Sequence, residues 1–107
     1  MKRSATAFLA TMFFSQFAAS QPALNERELH GMGLFNQSCR VCHTKPQMTS
    51  PQYAPALSRV SLGGQEEALR AFIANGSPKM PGFKYHFKPS EIDALVAYIK
   101  TLPQPAD

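Results

Sequence analysis

Phe35-Asn36-Gln37-Ser38-Cys39-Arg40-Val41-Cys42-His43-Thr44 contains both cysteines of the chain, with a histidine directly after the second. Four chemistries use such a pair, and the rest of the chain separates them. A Cys39–Cys42 disulfide closes so short a loop that it gains little in the chain-entropy picture of stabilisation. A thioredoxin-like redox pair needs a strand-loop-helix setting, which the helical pattern described below does not provide. A structural zinc ion wants four protein ligands, whereas Cys39, Cys42 and His43 are three, two of them adjacent. The fourth chemistry uses all three residues. In Cys-x-x-Cys-His the two thiols add to the two vinyl groups of one haem as thioethers, while the neighbouring imidazole ligates the iron. The spacing therefore points to covalently attached haem c, with Cys39 and Cys42 as anchors and His43 as proximal ligand.

The N-terminus reads as a leader. Lys2-Arg3 gives a positive start, Ala5 to Phe14 is largely apolar, and Ala18-Ala19-Ser20 puts small residues at the −3 and −1 positions of a cut. Residues 1–20 are expected to be a secretory signal peptide and residues 21–107 a single domain exported to the periplasm. The apolar run is about half of the ~20 residues that a spanning helix needs, so membrane attachment is expected only if the leader is left uncleaved. Export also permits disulfides without requiring them. The 87 residues that remain are few. A chain this short buries only about 60–65% of its unfolded surface and is marginal without a staple, metal or cofactor. The formal charge of +4 falls to +2 once Lys2 and Arg3 are removed. With no basic run and no aromatic-basic interleaving, nucleic acid is not expected as a partner.

Along the mature chain the periodicity is helical. Asn25 precedes Glu26 and Glu28 as a cap would, and Leu29, Met32 and Phe35 share one face. Gly31 and Gly33 lie inside this helix, where each costs about 1 kcal/mol relative to alanine; close approach of another backbone would account for them. Gln65 to Asn75 carries Leu69, Phe72 and Ile73 at helical spacing, with Asn75-Gly76 as its stop. Ser90 stands as the expected N-cap of a last helix, with Asp93 completing an approximate capping box; Ile92, Leu95, Ile99 and Leu102 mark its face and Pro103 its end. Two loops, Thr44 to Leu57 and Gly76 to Pro89, are long for so small a domain, and loops of that length are commonly functional. No strand alternation is visible. The fold class is all-α, three to four short helices.

Gly31-x-x-x-Phe35 before CRVCH, then Met80-Pro81-Gly82-Phe83, then Leu95-Val96-Ala97-Tyr98-Ile99-Lys100, together resemble a class I c-type cytochrome, of the small bacterial periplasmic monohaem kind. The resemblance spans essentially the whole mature chain. It implies the cytochrome c fold, wrapped around one covalently bound haem, with the first and last helices crossing so that Gly31 and Phe35 meet Leu95 and Tyr98. It also implies that a proline carbonyl in the loop after the motif accepts a hydrogen bond from His43, a role that falls on Pro55 although Ala54 stands where the family has glycine. The chain has no tryptophan. The indole that the family's mitochondrial-type members place at a haem propionate must then be replaced or absent, and Tyr53, Arg59 and Tyr85 are the candidate substitutes.

The opposite face of the iron decides the chemistry, since histidine with methionine gives an electron carrier and an open position invites ligand binding. Met80 lies 37 residues after His43, far enough to cross to the other face, and its proline-flanked loop looks like the family's methionine loop. His86 is the rival; Met32 reads as core packing, and Met48 follows His43 too closely. Leu57, Phe72, Ile73, Phe83, Phe87, Leu95 and Ile99 are the expected pocket lining. No acid/base pair or activated nucleophile accompanies them. The chain is therefore expected to be no enzyme but a monomeric one-electron shuttle between a periplasmic dehydrogenase and another cytochrome or a terminal oxidase. The alternative is a c-type haem peroxidase or gas-binding sensor with an open sixth position. Arg40, Lys45, Lys79, Lys84 and Lys88 gather in sequence around the two haem-contacting stretches, as a rim that would steer an acidic partner.

Overall fold

The computed structural model describes residues 22–44 and 51–104. The leader, Lys45 and Met48 lie outside the described residues.

Four helices run in chain order, α1 (Glu26–Ser38), α2 (Arg40–His43), α3 (Glu66–Asn75) and α4 (Pro89–Ile99). The first begins where the sequence predicts. Asn25 Oδ1 accepts from the Glu28 N–H at 2.9 Å, and Glu28 Oε2 accepts from the Asn25 N–H at 2.9 Å, a full capping box. Such a cap stabilises a helix by about 1 kcal/mol. At Cys39 the axis breaks: its N–H still bonds Phe35 O, while its own carbonyl accepts from the N–H groups of Cys42 and His43. CRVCH is thereby wound into one separate turn.

α3 ends as expected at Gly76, whose φ of 70° is open to glycine and strained for other residues. The start of α4 differs from the expected Ser90 cap. The helix opens with Pro89 at its first position, and the carboxylate of Glu91, rather than that of Asp93, accepts the Lys88 N–H at 2.7 Å. Proline suits a first helical position because its missing N–H is one that would have had no partner there. Asp93 instead faces α3, accepting from Arg70 Nε at 2.6 Å.

The core is the crossing of α1 and α4, the most extensive contact between elements, with α3 packed on the other side of α4. Leu34, Phe35 and Cys39 meet Ile92, Leu95, Val96 and Ile99, and Leu69, Ile73 and Phe87 extend the cluster. The Phe35 and Tyr98 rings lie 5.4 Å apart at a 60° tilt. Gly31 is what permits the approach: a Cβ there would collide with the Ala94 carbonyl oxygen and lie 3.0 Å from Tyr98 Cβ. Its backbone neighbour is therefore Ala94 and not Leu95. Gly33 is different, exposed and with nothing within 4 Å of where a methyl group would stand, so close approach explains only one of the two glycines.

Between α2 and α3 the chain makes a turn, Ser61–Gly64, in which Leu62, Gly63 and Gly64 all have positive φ. Lys100 Nζ at the end of α4 donates to Gly64 O at 2.7 Å and Arg59 O at 3.3 Å, binding this turn to the helix. No strand occurs among the described residues; Ser77 and Met80 form one isolated bridge. No described helix is long and apolar enough to cross a membrane.

Candidate cofactor site

α2, α3, α4 and the two long loops enclose a cavity of about 560 Å³ that opens to solvent. This is within the usual range of cofactor pockets, about 300–1,000 Å³. Cys42 and His43 enter from one side, Ser77, Lys79, Met80 and Pro81 from another, and Leu57, Leu69, Phe72, Ile73 and Ile99 form an apolar floor.

The His43 side is braced by the loop that follows it. His43 Nδ1 lies 2.8 Å from Pro55 O. A carbonyl oxygen only accepts, so Nδ1 carries the hydrogen, and in the neutral ring the lone pair sits on Nε2, free for a metal. Two further bonds hold the same loop: Ala54 N–H donates to Cys42 O at 3.1 Å, and Gln52 Nε2 donates to His43 O at 3.1 Å. The softer family match at Ala54 does not disturb the Pro55 geometry.

The Met80 side is held mainly by backbone bonds. Ser77 and Met80 exchange two N–H···O bonds, at 2.8 and 3.2 Å, across the two-residue turn Pro78-Lys79. Downstream, Phe83 N–H donates to Ile73 O at 2.9 Å and Lys84 N–H to Ala74 O at 3.1 Å, so the loop closes onto the last carbonyls of α3. Gly82 fits there because a Cβ would be 2.7 Å from Ala74 O, and Gly76 because one would collide with Met80 O. Tyr53, on the cavity wall, reaches Lys79 O with its hydroxyl at 3.4 Å, bringing the two loops together at the mouth.

The other candidates fall elsewhere. His86 is exposed and stands edge-on to Phe87, with ring centroids 4.6 Å apart, off the cavity wall. Met32 is half-buried on α1 and also off the wall. Of the expected lining, Leu57, Phe72, Ile73 and Ile99 line the cavity. Phe83 and Phe87 stack on each other at 5.4 Å, and Leu95 is sealed in the helix crossing at 0% exposure. Leu62 and Leu69 line it unannounced: Leu69 sits one turn before Ile73 and could have been found from that spacing, whereas Leu62 depends on a turn that no period signals. Of the propionate candidates only Tyr53 is on the wall; Tyr85 is 94% exposed.

No disulfide joins the two cysteines; Cys39 is buried and Cys42 half-buried. Burial first, and the neighbouring Cys42 second, pushes the Cys39 thiol up to about 11. Among the described residues no three of His, Cys, Asp and Glu gather at one point. The donor set instead fits a large flat group: an apolar floor, an imidazole with its outer nitrogen fixed, a thioether on a braced loop, and the Cys42 thiol on the wall; Cys39, one helical turn before Cys42, lies off the wall in the buried α1–α4 cluster. Away from the cavity, Arg70 ties α3 to α4 through Asp93, and also pairs with Glu66 and Glu67 of its own helix. Its guanidinium is held further toward the charged form, chiefly by the Asp93 hydrogen bond.

Residues 26–99 match the family described as cytochrome c oxidase, cbb3-type, subunit III. A cytochrome c6 of Nostoc sp. (strain PCC 7120) is 30% identical, over 92% of each chain. A cytochrome c6 of Synechocystis sp. (strain PCC 6803) is 28% identical, over 78% of this chain and 72% of its own length.

Proposed function

Since this chain belongs to the class I c-type cytochromes, and is thus a haem c electron-transfer protein and not an enzyme, we propose that His43 and Met80 are its two axial ligands. Cys39 and Cys42 would carry the thioethers and Pro55 would orient the His43 ring. The haem supplies one-electron cycling between Fe(II) and Fe(III). What the chain's own residues supply is a fixed frame: Pro55 holds the His43 ring through Nδ1 and leaves Nε2 as the outward nitrogen, and the Ser77–Met80 turn limits the travel of the thioether. A frame that does not move between oxidation states favours fast transfer, because little has to rearrange when the electron arrives. The observation that carries this reading is one apolar cavity with His43 and Met80 both on its wall and His86 off it.

The carrier is proposed to work in the periplasm after removal of residues 1–20, as a monomer. It would take electrons from a dehydrogenase of that compartment and pass them to another cytochrome or a terminal oxidase. Arg40, Lys79, Lys84 and Lys88 are exposed, and Lys79 is at the cavity itself, which suits an acidic partner.

The test is spectroscopic. The exported holoprotein, run on a denaturing gel, should retain haem. Its oxidised form should show the weak near-infrared sulfur-to-iron band, and its reduced form should resist carbon monoxide. Immediate carbon monoxide binding would overturn Met80 ligation and favour the open-site sensor or peroxidase.

A further inference from the structure

Leu62 is the one residue other than glycine, among those described, that holds a positive φ. At φ 51°, ψ 40° it occupies the left-handed region, which a leucine enters only against steric opposition. Gly63 and Gly64 continue the same hand at φ 67° and 71°. A strained residue persists only where its surroundings over-determine it, and here they do. Lys100 Nζ donates to carbonyls at both ends of the turn, Arg59 O at 3.3 Å and Gly64 O at 2.7 Å, and Arg59 N–H donates to Leu102 O at 3.0 Å. Inside the turn Ser61 Oγ accepts from Ser58 N–H at 2.9 Å, and Ser58 Oγ from Val60 N–H at 3.3 Å. Gly64 leaves room for the lysine head, since a Cβ there would lie 3.2 Å from Nζ.

The strain secures something specific. It sets the Leu62 side chain on the wall of the cofactor cavity at its solvent side, where Leu62 is 48% exposed. Glycine or asparagine would take this backbone more easily, so the leucine answers to its side chain and not to the turn.

We infer that Leu62 helps to set the reduction potential: it is an apolar cover, and Lys100 is the positioning residue that clamps it over the cavity. The inference rests on haem occupying that cavity. Oxidation raises the positive charge of the haem by one as the electron leaves for the acceptor, and water stabilises the more highly charged state. An apolar cover that keeps water away therefore favours the reduced form and raises the potential. Neither Leu62 nor Lys100 is a ligand, and neither changes its bonds in the step.

Potentiometric titration of the holoprotein, followed in the haem absorption, tests this with Leu62→Asn, Leu62→Met, Lys100→Met and the Leu62→Asn/Lys100→Met double variant. Asparagine tolerates the left-handed backbone but removes the apolar cover; methionine keeps the cover. Leu62→Asn should lower the potential, several-fold in the oxidised-to-reduced ratio at fixed applied potential, and Leu62→Met should restore it. Lys100→Met should also lower it, and the double variant should fall no further than Leu62→Asn alone. An unchanged potential in a haem-retaining Leu62→Asn protein overturns the role of Leu62. Additive shifts in the double variant overturn the clamp, because they would show Lys100 acting through its own charge. Loss of retained haem from the parent protein would instead overturn the cofactor reading beneath both.

Discussion

Of the single side chains, Met80 is the one whose replacement separates ligation from fold. Met80→Ala leaves the backbone pair with Ser77 intact, since those bonds are main-chain. The variant should keep its thioether-bound haem, lose the near-infrared band and bind carbon monoxide in the reduced state; His86→Ala should change neither. The choice between these two is only partly legible in the sequence. Spacing and flanking prolines favour Met80, but what separates them in the structure is the pinning of Phe83 and Lys84 to the end of α3, which turns residue 80 toward the cavity and leaves His86 outside. His43 and Pro55 are legible because one short motif and one loop proline suffice to define them. Leu62 is not, because a left-handed leucine carries no periodic signal.

The helices are legible where local chemistry decides their ends and misjudged where two local solutions compete. Asn25 caps α1 as expected, with Glu28 closing a box beyond that expectation; at α4 the proline at position 89 wins over Ser90, and Glu91 over Asp93. Glu91→Gln should therefore destabilise the holoprotein by about 0.5–1 kcal/mol in urea unfolding, and Ser90→Ala by far less. The two glycines of α1 give a sharper contrast. Gly31→Ala drives a methyl into the Ala94 carbonyl and should cost about 1–3 kcal/mol or more. Gly33→Ala meets open space on an exposed face and should be neutral or stabilising by up to about 1 kcal/mol. Equal effects from the two would mean that the helices do not cross at residue 31.

At the scale of the whole molecule, the cavity of about 560 Å³ shares Leu69, Ile73 and Ile99 with the buried core. The described core is essentially one helix crossing with α3 leaning on it, and a chain this short is marginal without a further apolar surface. A Cys39→Ser/Cys42→Ser variant, which cannot hold haem covalently, should lose its cooperative thermal transition in circular dichroism while keeping some helix at α1 and α4. The charge pattern predicts that a small anionic reductant will reduce the holoprotein faster at low than at high ionic strength, and a small cationic one the reverse. Composition bounds the size, the charge and the need for a cofactor. It could not reveal that the wall of the pocket would be shared between three helices and two loops, because that depends on contacts far apart in sequence.

Cys39 stands at the break between α1 and α2, and it is also a member of the central packed cluster, with 8% of its surface open. A sulfur so enclosed is out of reach of a bulky reactant once α1 has docked on α4. On the attachment proposed above, this constrains the order of events: the bond at Cys39 would form while the two ends of the chain are still apart, and the closing of the helices would then seal it. Assembly would run in one direction only, with the product of the first step serving as the surface on which the second takes place.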